Sequence, residues 1–134
     1  MNAIEKRKCL NAARRARRAV ERYRDEYNRA NKDLQICADL EGLCAIASVK
    51  LFNELQKEGI KATIVEGDCH AFVMYKGYVI DVTAEQFGEP FIVCRPFVST
   101  EWWEVQAYFK TVKSFIAHQK RVGWPDDQIA GVIL

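Results

Sequence analysis

The 134-residue sequence predicts an α+β domain, and three observations carry the prediction. A helical stripe of small and aromatic residues runs from Cys9 to Leu34. A second helical pattern opens at Leu43. Between Ile60 and Thr83 the apolar period shortens to two, and Lys76-Gly77 separates two alternating runs.

The first helix is expected over residues 2 to about 30. Cys9, Ala13, Ala16, Val20, Tyr23, Tyr27, Ala30 and Leu34 recur at steps of four and three, and no Gly or Pro interrupts them. Arg14, Arg15, Arg17, Arg18, Arg22 and Arg24 fall largely off that stripe, which reads as a solvated basic face. Residues 1–35 thus form a basic helical segment of a single 1–134 domain. A connector follows to Gly42, with a short helix expected near Asp33 to Cys37. Leu43, Ala47, Leu51, Phe52 and Leu55 mark the buried face of the second helix, which Gly59 ends.

Strands are expected at Ile60 to Glu66, Cys69 to Tyr75, Tyr78 to Thr83 and Phe91 to Phe97, with turns at Gly67-Asp68 and Lys76-Gly77. Ser99 or Thr100 is expected to cap a third helix carrying Trp102, Val105, Tyr108, Phe109, Val112, Phe115 and Ile116. Trp124-Pro125-Asp126 opens a short terminal helix.

Composition narrows the function classes. Apolar residues make up 49% and charged residues 28%, as in an ordinary globular protein. A net charge of +2 gives no reason to expect a nucleic-acid partner. No apolar run reaches the ~18–20 residues of a membrane span, so no membrane partner is expected. Five cysteines, an odd number, with no signal-peptide pattern point to free thiols and a cytoplasmic location. No glycine-rich phosphate loop or close-paired zinc spacing is present, so neither cofactor nor metal is expected.

The chemistry concentrates in three residues. Cys44 opens a helix, where orphan backbone N–H groups and the positive dipole end favour a thiolate and can hold an oxyanion. His70 lies in one strand run and Asp81 in the next. A two-residue Lys76-Gly77 loop pairs Tyr75 with Tyr78, which puts His70 opposite Thr83 and Phe72 opposite Asp81. His70 and Asp81 are then diagonal neighbours on one sheet face, ~5.5–8 Å apart in backbone, a gap their side chains bridge. The order is nucleophile, general base, orienting acid. His118 reads as a solvated helix-edge residue, and Trp102 and its neighbours as core.

These motifs carry a family resemblance. The run CAIASVKLFNELQKEGIKATIVEG, with HAFV and VIDVT after it, resembles the transglutaminase-like core of the papain-like cysteine protease superfamily. The likeness covers roughly Gly42 to Thr83. It implies a cysteine helix packed on a small antiparallel sheet, flanked here by N- and C-terminal helices. It also implies thiol-dependent acyl chemistry on an amide bond of a protein or peptide substrate, as a peptidase, amidase, deamidase or acyl transferase. Cys44 maps to the nucleophile, His70 to the base and Asp81 to the orienting acid. Papain-like enzymes use a glutamine upstream of the cysteine for the oxyanion; Gln35 is the candidate, though its spacing departs from that pattern. Thr83 and Gln86 are further cleft candidates. The alternative is a catalytically silent fold that binds protein through its basic first helix.

Overall fold

The structure, a computed structural model, describes residues 1–123. Helix α1 spans Ala3–Ala30 and α2 spans Cys44–Lys57. Strands β1 (Thr63–Glu66), β2 (Ala71–Tyr75), β3 (Tyr78–Asp81), β4 (Val93–Pro96) and β5 (Ala107–Phe109) form one antiparallel sheet in the order β4-β3-β2-β1-β5. A 3-10 turn at Ala84–Phe87 follows β3, and α3 spans Val112–Arg121. The terminal helix expected at Trp124 lies outside the described residues.

Asn2 caps α1 in a reciprocal box with Glu5: the Asn2 side chain accepts from the Glu5 N–H, and the Glu5 carboxylate accepts from the Asn2 N–H. The small residues Cys9, Ala12, Ala13 and Ala16 are fully buried, which lets α1 lie close to α2. Arg15 bridges the two helices to Glu54 at 2.9 Å and Glu58 at 3.5 Å. Gly59 takes a positive φ of 78°, and the Ile60 N–H returns to the Leu55 carbonyl, closing α2 as its sequence predicted.

Strand alternation sorts the sheet into two faces. Ile64, Val73 and Ile80 join α1 and α2 in the larger core, while Val65, Phe72 and Val79 form a second cluster with Val93 and Trp103. The Lys76-Gly77 loop has positive φ at both residues, the two-residue turn that suits strand twist. Its register is the predicted one: Tyr75 pairs with Tyr78, Met74 with Val79 and Val73 with Ile80. The hairpin tip is tied to the start of α1, because Tyr75 and Lys76 both donate to the Glu5 carboxylate.

Several expectations need correction. No helix begins at Thr100. Its hydroxyl does accept from the Trp103 N–H at 2.9 Å, but that bond closes a single turn. The chain then enters β5, because the open edge of β1 offers ladder bonds that outweigh local helical periodicity. The helix starts eleven residues later, capped by Thr111, whose hydroxyl accepts from the Ser114 N–H at 3.1 Å. Asp33 to Cys37 is irregular rather than helical, since Asn28 closes it with two side-chain bonds to the Ile36 backbone. His118 is not merely solvated: Nε2 lies 2.7 Å from Glu66 Oε2.

The basic face of α1 is also less uniform than expected. Arg17 is buried, donates to the Val82 carbonyl at 2.9 Å and pairs with Glu85 at 2.9 Å. It lies under the loop that follows β3, a neighbour that periodicity within α1 could not reveal.

Candidate active site

The hairpin builds half of the site. His70 immediately precedes β2 and Asp81 ends β3, and both are 3% exposed. His70 Nε2 lies 2.7 Å from Asp81 Oδ2. The His70 ring stacks on Phe72 and meets the Phe87 ring edge-on at 5.0 Å, which fixes its plane between two aromatic side chains. Alternation along β2 explains the stacking, since residues 70 and 72 share a face.

Asp81 is saturated with donors. Oδ2 accepts from the Trp103 indole N–H at 2.9 Å as well as from His70. Oδ1 accepts from the Thr83 backbone N–H at 2.9 Å and from its hydroxyl at 3.3 Å. A carboxylate with four donors around it acts only as an acceptor, so the shared proton belongs to His70 Nε2. That leaves Nδ1 as the ring nitrogen not engaged by Asp81. It is buried and, among the described residues, makes no aligned hydrogen bond.

Cys44 supplies the other half. It is the first residue of α2, it is partly exposed, and no side chain caps this helix start. The first-turn N–H groups are therefore free of a capping side chain. Burial pushes the His70 pKa down, but hydrogen bonding to Asp81 and Cys44, and their charges, overcome it and raise the imidazole to about 9. Cys44 is thus among the groups that favour the protonated ring, and Nδ1 is the ring nitrogen not taken by Asp81. Two thiols are held away from ionisation: burial pushes Cys9 up to about 12 and raises Cys94.

The remaining sequence candidates have different work. The Gln35 amide donates to the carbonyls of Asn28 and Asn31, so it closes the end of α1 and is not a free oxyanion donor. Thr83 holds Asp81 rather than facing a substrate. The Gln86 amide donates to the Thr83 carbonyl at 3.0 Å within the 3-10 turn. Cys69 is exposed and its sulfur lies 3.5 Å from the Glu101 carbonyl.

Trp103 is the site residue that sequence reasoning passed over as core. Its ring is 1% exposed and carries the Arg95 guanidinium at 4.8 Å, while Arg95 pairs with Glu89 at 2.7 Å. The signal was the indole itself, since a buried Trp needs a partner for its N–H. The route to that partner depends on Gly67, where a Cβ would lie 2.3 Å from the Glu104 carbonyl oxygen. Trp103→Phe keeps most of the ring and removes one donor from Asp81. It is expected to slow acylation of Cys44 roughly 10-fold or less while lowering stability by ~1 kcal/mol, read by paired kinetics and thermal unfolding.

Among the described residues, the only mutually close set of metal-type ligands is Cys37, Asp39 and Glu41, on the connector before α2, and it includes neither His70 nor Asp81. No helix there is long and apolar enough to cross a membrane. Comparison of the chain with family models, curated proteins and solved structures finds no match.

Proposed function

We propose that this protein performs thiol-dependent acyl chemistry on an amide bond, with Cys44 as nucleophile, His70 as acid–base and Asp81 as the group that orients His70. The observation that carries the reading is the buried His70–Asp81 pair, whose Nε2 is taken at 2.7 Å while Nδ1 is left for the thiol of a helix-initial cysteine. The arrangement resembles the transglutaminase-like branch of the papain-like fold, and the residue order and α+β architecture support that reading.

In this reading the Cys44 proton resides on His70 Nδ1, and the thiolate attacks the carbonyl carbon of the substrate amide. The carbonyl π electrons move to oxygen, where the Cys44 N–H and the positive end of α2 hold the charge. His70 then gives its Nδ1 proton to the leaving nitrogen as the C–N bond breaks, and a thioester remains on Cys44. Water, deprotonated by the same nitrogen, attacks the thioester and returns the thiol. An amine in place of water would give transfer; hydrolysis is the reaction we favour.

Two measurements test this. Alkylation with site assignment by mass spectrometry is expected to label Cys44 fastest of the five thiols between pH 6 and 8, because Cys9 and Cys94 are held protonated by burial. Equal rates at Cys44 and Cys94 would remove the nucleophile. Amide cleavage is expected to fall as pH rises through about 9, where His70 loses the proton it must donate, while alkylation of Cys44 does not fall. If both rates rise together through that range, His70 is not the acid.

A further inference from the structure

Charge is divided unevenly along this chain. α1 carries ten Lys or Arg against four Asp or Glu, a net +6 in a chain whose total is +2, so the remainder stands at −4. The outward positions Arg7, Arg14, Arg18, Arg22 and Arg29 are exposed, and among the described residues none of them makes an ion pair. Arg14 spends one N–H on the neutral Asn11 side chain.

The middle of this face is also concave. Arg14, Arg17, Arg18 and Glu21 of α1, with Phe91 and Ile92, line a groove of about 270 Å³. Arg17 is buried, its charge answered by Glu85 at 2.9 Å and Glu21 at 3.6 Å. Its guanidinium lies 5.6 Å from the Phe91 ring centroid. Phe91 is nevertheless 57% exposed, a large apolar surface left in water in a groove that Arg14 and Arg18 also line.

We propose that this groove docks an acidic protein segment that inserts one apolar side chain beside Phe91. The volume falls short of the ~300–1,000 Å³ of small-molecule pockets and suits a single anchoring residue. Arg14 and Arg18 stand one helical turn apart and present planar donor forks that match carboxylates in pairs. A nucleic-acid backbone fits less well. Glu21 lines the groove, and Asp25 and Glu26 interrupt the arginine row toward Arg29, so no continuous phosphate track exists. The surface is distinct from the proposed triad: its lining includes none of Cys44, His70 and Asp81.

The test uses the full chain with Cys44→Ala, so that binding is read without turnover. The probe is a fluorescent dodecapeptide of Glu, Asp and Ser with one central Leu, followed by anisotropy. The expected result is saturable binding that weakens roughly 10-fold when Arg14 and Arg18 are both changed to Gln, and similarly when Leu in the peptide becomes Ser or when Phe91 becomes Ser. Salt is expected to weaken the peptide and leave only the apolar contribution. The substituted side chains are exposed, so unfolding temperatures should match the parent. Absence of binding, binding indifferent to Arg14→Gln with Arg18→Gln, or tighter binding of a single-stranded dodecanucleotide would each overturn the proposal. Because activity is not measured, failure here leaves the acyl-transfer reading standing, and failure of that reading leaves this one.

Discussion

Asp81→Asn is expected to slow acylation of Cys44 by ~10²–10⁴. An amide at position 81 keeps one acceptor oxygen but turns an NH₂ toward donors. If the NH₂ takes the Oδ2 position, it faces both His70 Nε2 and the Trp103 indole N–H. His70 would then shed its Nε2 proton to accept from the amide, and Nδ1 would carry the proton at the moment it is needed as a base. If the NH₂ takes the Oδ1 position, it meets the Thr83 N–H instead. The sequence alone suggests a variant of unchanged stability, because volume is conserved. Four donors on a buried carboxylate change that expectation: a loss of ~1–3 kcal/mol should accompany the loss of rate. The His70 pKa offers an independent readout. It is raised in the folded protein, so the stability it contributes is complete below the ordinary value of about 6.5 and is lost as pH rises through about 9. That slope should shrink in Asp81→Asn. Acylation at the parent rate in a folded variant would show that Asp81 does not orient His70.

Arg17→Gln is expected to destabilise the protein by ~2–4 kcal/mol, the largest effect of any substitution on α1. The Arg17 side chain is buried, and its loss strands the Val82 carbonyl and leaves Glu85 without its cation. Glutamine is too short to replace both bonds. Val82 adjoins Asp81, so the 3-10 turn behind the acid should loosen, and activity should fall through a raised KM and lowered kcat together. Arg14→Gln and Arg18→Gln serve as controls and should leave unfolding unchanged. A fully stable Arg17→Gln protein would mean that the turn is held by its own hydrogen bonds.

The parts of the site legible in the sequence were those fixed by short-range geometry. A two-residue loop sets the parity of the whole hairpin, so His70 and Asp81 had to share a face once Lys76-Gly77 was identified. The helix start at Cys44 was legible from the pattern that follows it. Trp103 was not, because the path of residues 97–106 is set by the far face of the sheet and by the edge of β1 rather than by local preference. Arg17 was misread for a different reason. It stands four residues after Ala13 and three before Val20, on the buried stripe itself, but its charge suggested solvent. A long side chain can satisfy both rules by burying its stem and ending on a carbonyl and a carboxylate. Gln35 was a candidate by resemblance alone, and its bonds to the Asn28 and Asn31 carbonyls depend on where α1 ends, which the sequence could not place to the residue.

The two halves of the site also differ in how they come to exist during folding. His70 and Asp81 are 11 residues apart, joined by a tight hairpin whose closure costs little chain entropy and takes ~1–10 μs. Cys44 is remote from that hairpin in the chain and reaches it only when α2 docks on the sheet and on the alanine stripe of α1. The His70–Asp81 pair is thus a local product, and the proposed nucleophile is delivered by the tertiary step. On the proposed reading, a chain still emerging or partly unfolded holds residue 44 apart from the His70–Asp81 pair, and the three come together only with the completed fold.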